Sequence, residues 1–196
     1  TKNSQQRKIF YDGTYWWCVY FKSTDTTRMY YAYSSTPAGP WIELNVLLPT
    51  GCTQDGGSID LYFMPSTMVV IVTYRFTIGT ANGFRYLRGN ISGATITWSA
   101  NTPYIISFSG AASDEYQNYI TLNSSNKVWN ACSDNSGNPY TMYSDNALST
   151  SFLDSSANGA GTTFNVATIG ATGAYRYRSF MADTGSNTML IVINET

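Results

Sequence analysis

The side chains of this chain that could carry acid–base chemistry are its carboxylates, because the sequence contains no histidine. Glycoside hydrolysis needs two carboxyl groups held across one bond, one with a raised pKa and one that stays ionised. Most aspartates here fall in predicted turns, where the side chain commonly accepts hydrogen bonds from nearby backbone amides. These turn aspartates, which the sequence predicts to be structural, are Asp12, Asp25, Asp55, Asp134, Asp145, Asp154 and Asp183.

The three cysteines do not form a metal-binding pattern. Cys18, Cys52 and Cys132 are far apart, without a C-x-x-C pair, so we expect no zinc site, no other metal site and no cofactor. Cys18 and Cys132 lie in matching aromatic strands, where a cysteine packs as a small buried hydrophobe. The alternative is one disulfide, since Cys52 lies in a predicted loop and could reach either of the other two.

The overall charge and composition restrict the class of partner. Charged residues make up 12% of the chain and the net charge is −1, without a basic cluster, which argues against nucleic acid. No apolar run approaches the roughly 20 residues that cross a bilayer, so we expect no membrane span. A surface rich in Tyr, Ser, Thr and Asn and poor in Lys is typical of an extracellular or cell-surface protein. Three Asn-x-Ser/Thr sequons, at Asn90, Asn123 and Asn194, are candidate glycosylation sites.

Strand signals run through the whole chain and recur at a fixed interval. Tyr33-Ser34, Arg88-Gly89 and Tyr143-Ser144 each end a strand-like run, and successive copies are 55 residues apart. A period of this size in a strand-rich sequence predicts a β-propeller, in which each repeat is one antiparallel meander of about four strands. No long window has apolar residues at the helical spacing i, i+3, i+4, i+7. The fold class we expect is therefore all-β.

The second predicted blade contains two features that the structure can test directly. The run Val69-Val70-Ile71-Val72 lacks the alternation of a half-exposed strand, as expected for a strand covered on both faces. After it, the two glycines Gly79 and Gly83 predict a loop before the next strand.

We expect residues 1–196 to form one propeller segment of about three and a half blades. The predicted blades lie at approximately 8–50, 57–110, 116–170 and an incomplete 175–196. An unfinished blade leaves the strand at residues 189–193 with an unpaired side, and exposed strand edges recruit other strands. The expected partners are other chains, or the remainder of the propeller, that add to the open blade edges.

Three segments carry a resemblance to a known family. Residues 84–100 (FRYLRGNISGATITWSA), residues 119–129 (YITLNSSNKVW) and residues 11–16 (YDGTYW) resemble, in order and spacing, the sialidase-like β-propeller repeats of large extracellular proteins of prokaryotes, archaea prominent among them. The resemblance covers roughly residues 9 to 145. In true sialidases the turn before the last strand carries an Asp box, Ser-x-Asp-x-Gly-x-x-Trp. Here Thr36 replaces its aspartate in Ser34-Ser35-Thr36-Pro37-Ala38-Gly39-Pro40-Trp41.

A second resemblance suggests a catalytic alternative. Residues 35–41, followed by residues 58–63, are similar to the order of motifs in five-bladed arabinanase and xylosidase propellers. That similarity implies that Asp60 tunes the acid and that Glu115 protonates the leaving group, as two carboxylates flanking one bond. The third carboxylate, the general base at the start of the first blade, is missing, because Asp12, the candidate for it, follows the first strand rather than preceding it. In the structural alternative, Asp60 caps a strand end and Glu115 is a solvated loop acid.

Aromatic residues offer a third kind of site, because sugars present apolar faces to rings. The same rings could instead fill the space between blades. The residues for which both interpretations are open are Trp16, Trp17, Tyr30, Tyr31, Tyr33 and Trp41.

Taken together, the sequence predicts a non-catalytic, extracellular β-propeller module with a role in surface architecture or in carbohydrate or partner binding. The alternative is an arabinanase/xylosidase- or sialidase-like glycoside hydrolase that uses Asp60, Glu115 and Asp12. We expect no hydrolysis of sialosides, arabinans or xylans.

Overall fold

A computed structural model describes residues 8–48, 53, 59–78, 81–99, 104–109, 118–122, 128–133, 139–143, 164–165, 175–182 and 189–195. Throughout these ranges the secondary structure consists of strands and turns, without a helix. The fold class expected from the sequence is thus confirmed as all-β. The strands form four separate antiparallel sheets, numbered here 1 to 4 in chain order.

Sheet 1 is a four-stranded meander, ordered as its strands occur in the chain. Its first turn is built by Asp12 and Gly13, because Gly13 has φ +102° and the Asp12 carboxylate accepts two backbone hydrogen bonds. The strands are β1 (Ile9–Tyr11), β2 (Trp16–Lys22), β3 (Asp25–Ser34) and β4 (Ile42–Leu47).

Sheet 2 has five strands, of which the last two share one edge. They are β5 (Ile59–Met64), β6 (Val69–Ile78), β7 (Ala81–Ser92), β8 (Thr95–Trp98) and β9 (Tyr104–Ser109). The 12-residue strand β7 pairs with β8 along its second half and with β9 along its first half. The loop predicted through Gly79 and Gly83 is wrong for the part described, because Gly83 lies in β7 opposite Phe76. Phe76 is completely buried in the core. The pairing of β6 with β7 therefore continues through Phe76 and Gly83, where the glycines predicted a loop.

Sheets 3 and 4 complete the described chain. Sheet 3 consists of β10 (Asn118–Leu122), β11 (Val128–Ser133), β12 (Pro139–Tyr143) and β13 (Phe164–Asn165), again in chain order. Sheet 4 pairs β14 (Tyr175–Ala182) with β15 (Met189–Glu195). Tyr33, Arg88 and Tyr143, the positions of the 55-residue repeat, lie in the third strand of sheets 1, 2 and 3 respectively.

The hydrophobic core of the described residues lies between sheets 1 and 2. Phe10 stacks on Phe63 with ring centroids 4.8 Å apart, and Trp17 is completely buried. The opposite face of sheet 2 is also covered, since β10 lies against β5 and β6. Every residue from Val69 to Phe76 is at most 3% exposed, which confirms that the Val69–Val72 run is covered on both faces.

Candidate functional site

The sequence-predicted carboxylate Asp12 is committed to its own hairpin. Its Oδ1 accepts hydrogen bonds from the backbone amides of Thr14 and Tyr15, both at 2.7 Å. Its Oδ2 accepts a bond from the indole Nε1 of Trp17 at 2.6 Å. Both oxygens therefore hold the turn and the buried Trp17 ring.

Asp60 lies inside β5 and is completely buried. Its Oδ2 accepts a hydrogen bond at 2.9 Å from the main-chain amide of Ile120 in β10, so the carboxylate links sheets 2 and 3. The ammonium group of Lys8 lies within electrostatic range: burial lowers the pKa of Lys8, and attraction to Asp60 opposes that shift. Asp60 does not reach solvent, and its Oδ2 binds another sheet. Glu115 lies outside the described residues.

The candidate glycosylation sites fall partly within the described chain. Asn90 is exposed, but it lies in β7 opposite Thr97 rather than in a turn. Asn194 lies in β15 opposite Arg176, and Asn123 lies outside the described residues.

A group of accessible aromatic and polar side chains lies on the face of sheet 1 that points away from sheet 2. Because side chains alternate along a strand, this face carries every second residue of each strand. Ile9, Tyr11 and Leu47 are 56%, 47% and 62% exposed on it. We call this surface the open face and define it by Ile9, Tyr11, Trp16, Cys18, Tyr20, Lys22, Arg28, Tyr30, Ala32, Glu43, Asn45 and Leu47.

Two pairs of aromatic rings stand on the open face. Tyr11 and Trp16, register partners on β1 and β2, have ring centroids 5.1 Å apart. Tyr20 and Tyr30, register partners on β2 and β3, stack with centroids 6.0 Å apart and planes inclined by 24°. Both pairs leave ring surface accessible to a ligand.

For six aromatic residues the sequence left open whether they bind sugar or pack between sheets. The alternation of side chains along the strands places some of them on the open face and buries others. Trp16 and Tyr30 lie on the open face, whereas their chain neighbours Trp17 and Tyr31 are buried against sheet 2. Tyr33 packs against the ring of Trp17 at a centroid distance of 5.3 Å. Trp41, in the turn before β4, is 37% exposed.

Hydrogen-bonding side chains surround the Tyr20–Tyr30 pair. Glu43 accepts bonds from the Tyr20 hydroxyl and, at 2.6 Å, from Lys22 Nζ, which itself lies 4.1 Å from the centre of the Tyr30 ring. Asp25 accepts a bond from the Tyr30 hydroxyl at 2.8 Å.

A second ion pair and an amide complete this polar border. Arg28 Nε lies 3.3 Å from Asp25 Oδ2, and Arg28 Nη1 donates to Asn45 Oδ1 at 2.6 Å. Lys22 and Arg28 thus pair with Glu43 and Asp25, so the charges that border the Tyr20–Tyr30 rings balance one another.

The same contacts set the ionisation of these groups. Hydrogen bonds from Lys22 and Tyr20 lower the pKa of Glu43, and bonds from Thr27 and Tyr30 lower the pKa of Asp25. Burial, with the bond to Glu43, raises the pKa of Tyr20. At neutral pH both carboxylates are ionised, and neither has the raised pKa that a glycosidase acid needs.

Cys18 lies between the two ring pairs. It is a free thiol and half-buried, so the prediction that it packs as a buried hydrophobe is wrong: it alternates with Trp17 and Val19 and faces the open side. Burial nevertheless raises the pKa of the thiol, and the charge of Lys8 opposes this shift. Cys52 and the side chain of Cys132 lie outside the described part of the chain.

The turn that resembles an Asp box is held by a threonine. The Thr36 hydroxyl donates to the carbonyl oxygen of Gly39 at 2.8 Å, and the amide of Gly39 donates back to the carbonyl of Thr36 at 3.1 Å. Thr36 therefore supports this turn from both its hydroxyl and its carbonyl group. Gly39 has φ +88°, and a Cβ atom there would lie 2.9 Å from Cδ1 of Trp41.

Among the described side chains, no group of three or more Cys, Asp or Glu residues is arranged to hold a metal ion. The described part of the chain also lacks a helix long and apolar enough to cross a membrane. No family model matches the chain, and neither the curated proteins nor the solved structures contain a significant match.

Proposed function

We propose that this chain is a non-catalytic module of an extracellular, sialidase-like β-propeller and that it binds carbohydrate through the open face of sheet 1. The observation that carries the proposal is the pair of accessible ring clusters, Tyr11–Trp16 and Tyr20–Tyr30, on one face of one sheet. Rings pack against the apolar faces of sugars, and the bordering carboxylate, amide and ammonium groups can hydrogen-bond to sugar hydroxyls.

The propeller part of the proposal is supported by how the sheets follow one another. The first four strands of sheets 1, 2 and 3 are ordered as they occur in the chain. Sheet 2 is covered by sheet 1 on one face and by β10 on the other, whereas a two-layered sandwich covers each sheet on one face only. Successive sheets stacked in this way are what radially arranged blades produce.

The non-catalytic part is supported by the state of the candidate carboxylates. Asp12 uses both oxygens within its hairpin, and Asp60 is completely buried against Ile120. A glycosidase carboxylate must contact the sugar that it acts on. The extracellular setting is supported by the composition and by the exposure of Asn90 within its sequon.

The experiment is a combined binding and turnover screen of the full chain. Native affinity electrophoresis against a panel of neutral and acidic polysaccharides measures binding, and reducing-sugar release from the same panel measures turnover. We expect retardation by at least one neutral polysaccharide without release of reducing sugar. Trp16→Ala should abolish the retardation. Ile42→Ala is the matched control, because Ile42 is 51% exposed but projects from the opposite face of β4.

A further inference from the structure

The two ring pairs of the open face are connected by a single strand. Trp16 and Tyr20 both lie on β2, four residues apart and on the same face. With a rise of about 3.3 Å per residue, their Cα atoms are roughly 13 Å apart along the strand. This distance exceeds the size of one sugar ring, so a monosaccharide can contact one pair but not both.

The floor between the ring pairs is formed by small side chains. Cys18 and Ala32 are register partners midway between Trp16 and Tyr20, and Ala32 is only 5% exposed. The larger rings on either side therefore stand above a shallow trough, and Ile9, the register partner of Cys18 on β1, borders it. Its course is diagonal, from β1 at Tyr11 to β3 at Tyr30.

The charges around the trough are paired, which favours an uncharged ligand. Lys8, a further cation near Cys18, is attracted to the buried Asp60. Lys22 is paired with Glu43 and Arg28 with Asp25, so this border presents neither excess positive charge for an acidic sugar nor excess negative charge for a basic one. Exposed ion pairs such as Lys22–Glu43 are hydrated. Their charged groups can therefore exchange hydrogen bonds to water for hydrogen bonds to sugar hydroxyls.

We infer that the open face binds an extended, neutral polysaccharide chain that runs through this trough and stacks on both ring pairs at once. This inference rests on the proposed function and adds the ligand class to it. The separation of the two ring pairs along the extended strand β2 favours a straight glycan, such as a cello-, xylo- or manno-oligosaccharide, over the coiled malto-oligosaccharides.

Calorimetric titration of the full chain with oligosaccharides of increasing length tests the inference. We expect the affinity to rise about tenfold or more, a gain of about 1.4 kcal/mol, between the disaccharide and the hexasaccharide of a straight series. Malto-oligosaccharides of equal length should bind more weakly. Trp16→Ala and Tyr30→Ala should each remove the length dependence, and Ile42→Ala should leave it unchanged.

A trough-filling variant separates the inference from a simple loss of folding. Cys18→Leu adds bulk between the ring pairs at a half-buried position, so the chain should fold with an unchanged circular dichroism spectrum. The hexasaccharide should then bind no better than the disaccharide. If disaccharide and hexasaccharide bind the wild-type chain equally, the inference fails and the proposed function stands. If neutral glycans of every length fail to bind, the proposed function fails with it.

Discussion

The carboxylate of Asp60 accepts a hydrogen bond from the main-chain amide of Ile120, 60 positions further along the chain, at 2.9 Å. Both residues are completely buried, and the bond joins the first strand of sheet 2 to the first strand of sheet 3. A buried acceptor in this position stabilises the contact between two sheets, which explains the aspartate without reference to a substrate.

Replacing Asp60 should therefore lower stability in a graded way. Asp60→Ala leaves the buried Ile120 amide without this acceptor, and we expect a loss of about 1–3 kcal/mol in the free energy of unfolding. Asp60→Asn keeps an acceptor oxygen and should lose less. Urea denaturation followed by tryptophan fluorescence measures both. An alanine variant as stable as the wild type would show that the hydrogen bond does not hold the sheets together.

The turn at Gly39 provides a second stability test. Gly39→Ala and Gly93→Ala each place a side chain at positive φ, which costs roughly 1–2 kcal/mol. Only at Gly39 does the added Cβ also meet the Trp41 ring, since the space at Gly93 is open. Thermal unfolding should therefore show a larger loss for Gly39→Ala than for Gly93→Ala. Equal losses would mean that Trp41 moves aside without cost.

The polar border of the open face predicts an acid dependence of stability. The pKa values of Glu43 and Asp25 are lowered in the folded state, so the folded protein holds these protons less tightly than the unfolded chain does. Their stabilising effect is present above the unfolded values of about 4.3 and 3.9 and is lost as the pH falls through the lower folded values. The double variant Glu43→Gln, Asp25→Asn should flatten the stability curve in that range. If the free energy of unfolding falls with decreasing pH as steeply in the double variant as in the wild type, the assigned hydrogen bonds are contradicted.

The thiol of Cys18 predicts a pH-dependent reactivity. Since burial raises its pKa, less thiolate is present near pH 8 than in an unperturbed cysteine, whose pKa is about 8.5. The folded chain is alkylated at a series of pH values, and modification of Cys18 is measured by mass spectrometry of its peptide. The rate should reach half of its maximum at a pH above the pKa of about 8.5 of a free cysteine. Lys8→Met removes a charge that lowers the pKa and should shift the midpoint higher still. A midpoint below that of free cysteine would contradict the half-buried position.

The strands were largely predictable because their local signals agree with the fold. Aromatic and β-branched runs between Gly, Pro and Asn turns predicted an all-β chain, and the Val69–Val72 run indicated a strand with two covered faces. The exception is the hairpin between β6 and β7. There, Gly79 and Gly83 are local loop signals, whereas burial of Phe76, a tertiary effect, extends the strand.

The candidate site was only partly predictable. Alternation separates Trp16 from Trp17 and Tyr30 from Tyr31, but the sequence does not say which face is covered by sheet 2. The bonds of Glu43 to Tyr20 and Lys22 depend on register across three strands. Asp60 was predicted to tune the catalytic acid or to cap a strand end because its partner, the Ile120 amide, lies in another sheet and has no side-chain signature.

The central claim is that the open face binds glycan and that the chain does not cleave it. Its most direct test is calorimetric titration of wild-type, Trp16→Ala and Ile42→Ala chains with the best-binding straight hexasaccharide, followed by chromatography of the recovered sugar. The account predicts binding by the wild type and by Ile42→Ala, at least a tenfold loss in Trp16→Ala, equivalent to about 1.4 kcal/mol, and an intact hexasaccharide throughout. Cleaved sugar whose formation is lost in both Asp60→Asn and Glu115→Gln, with the fold intact, would contradict it.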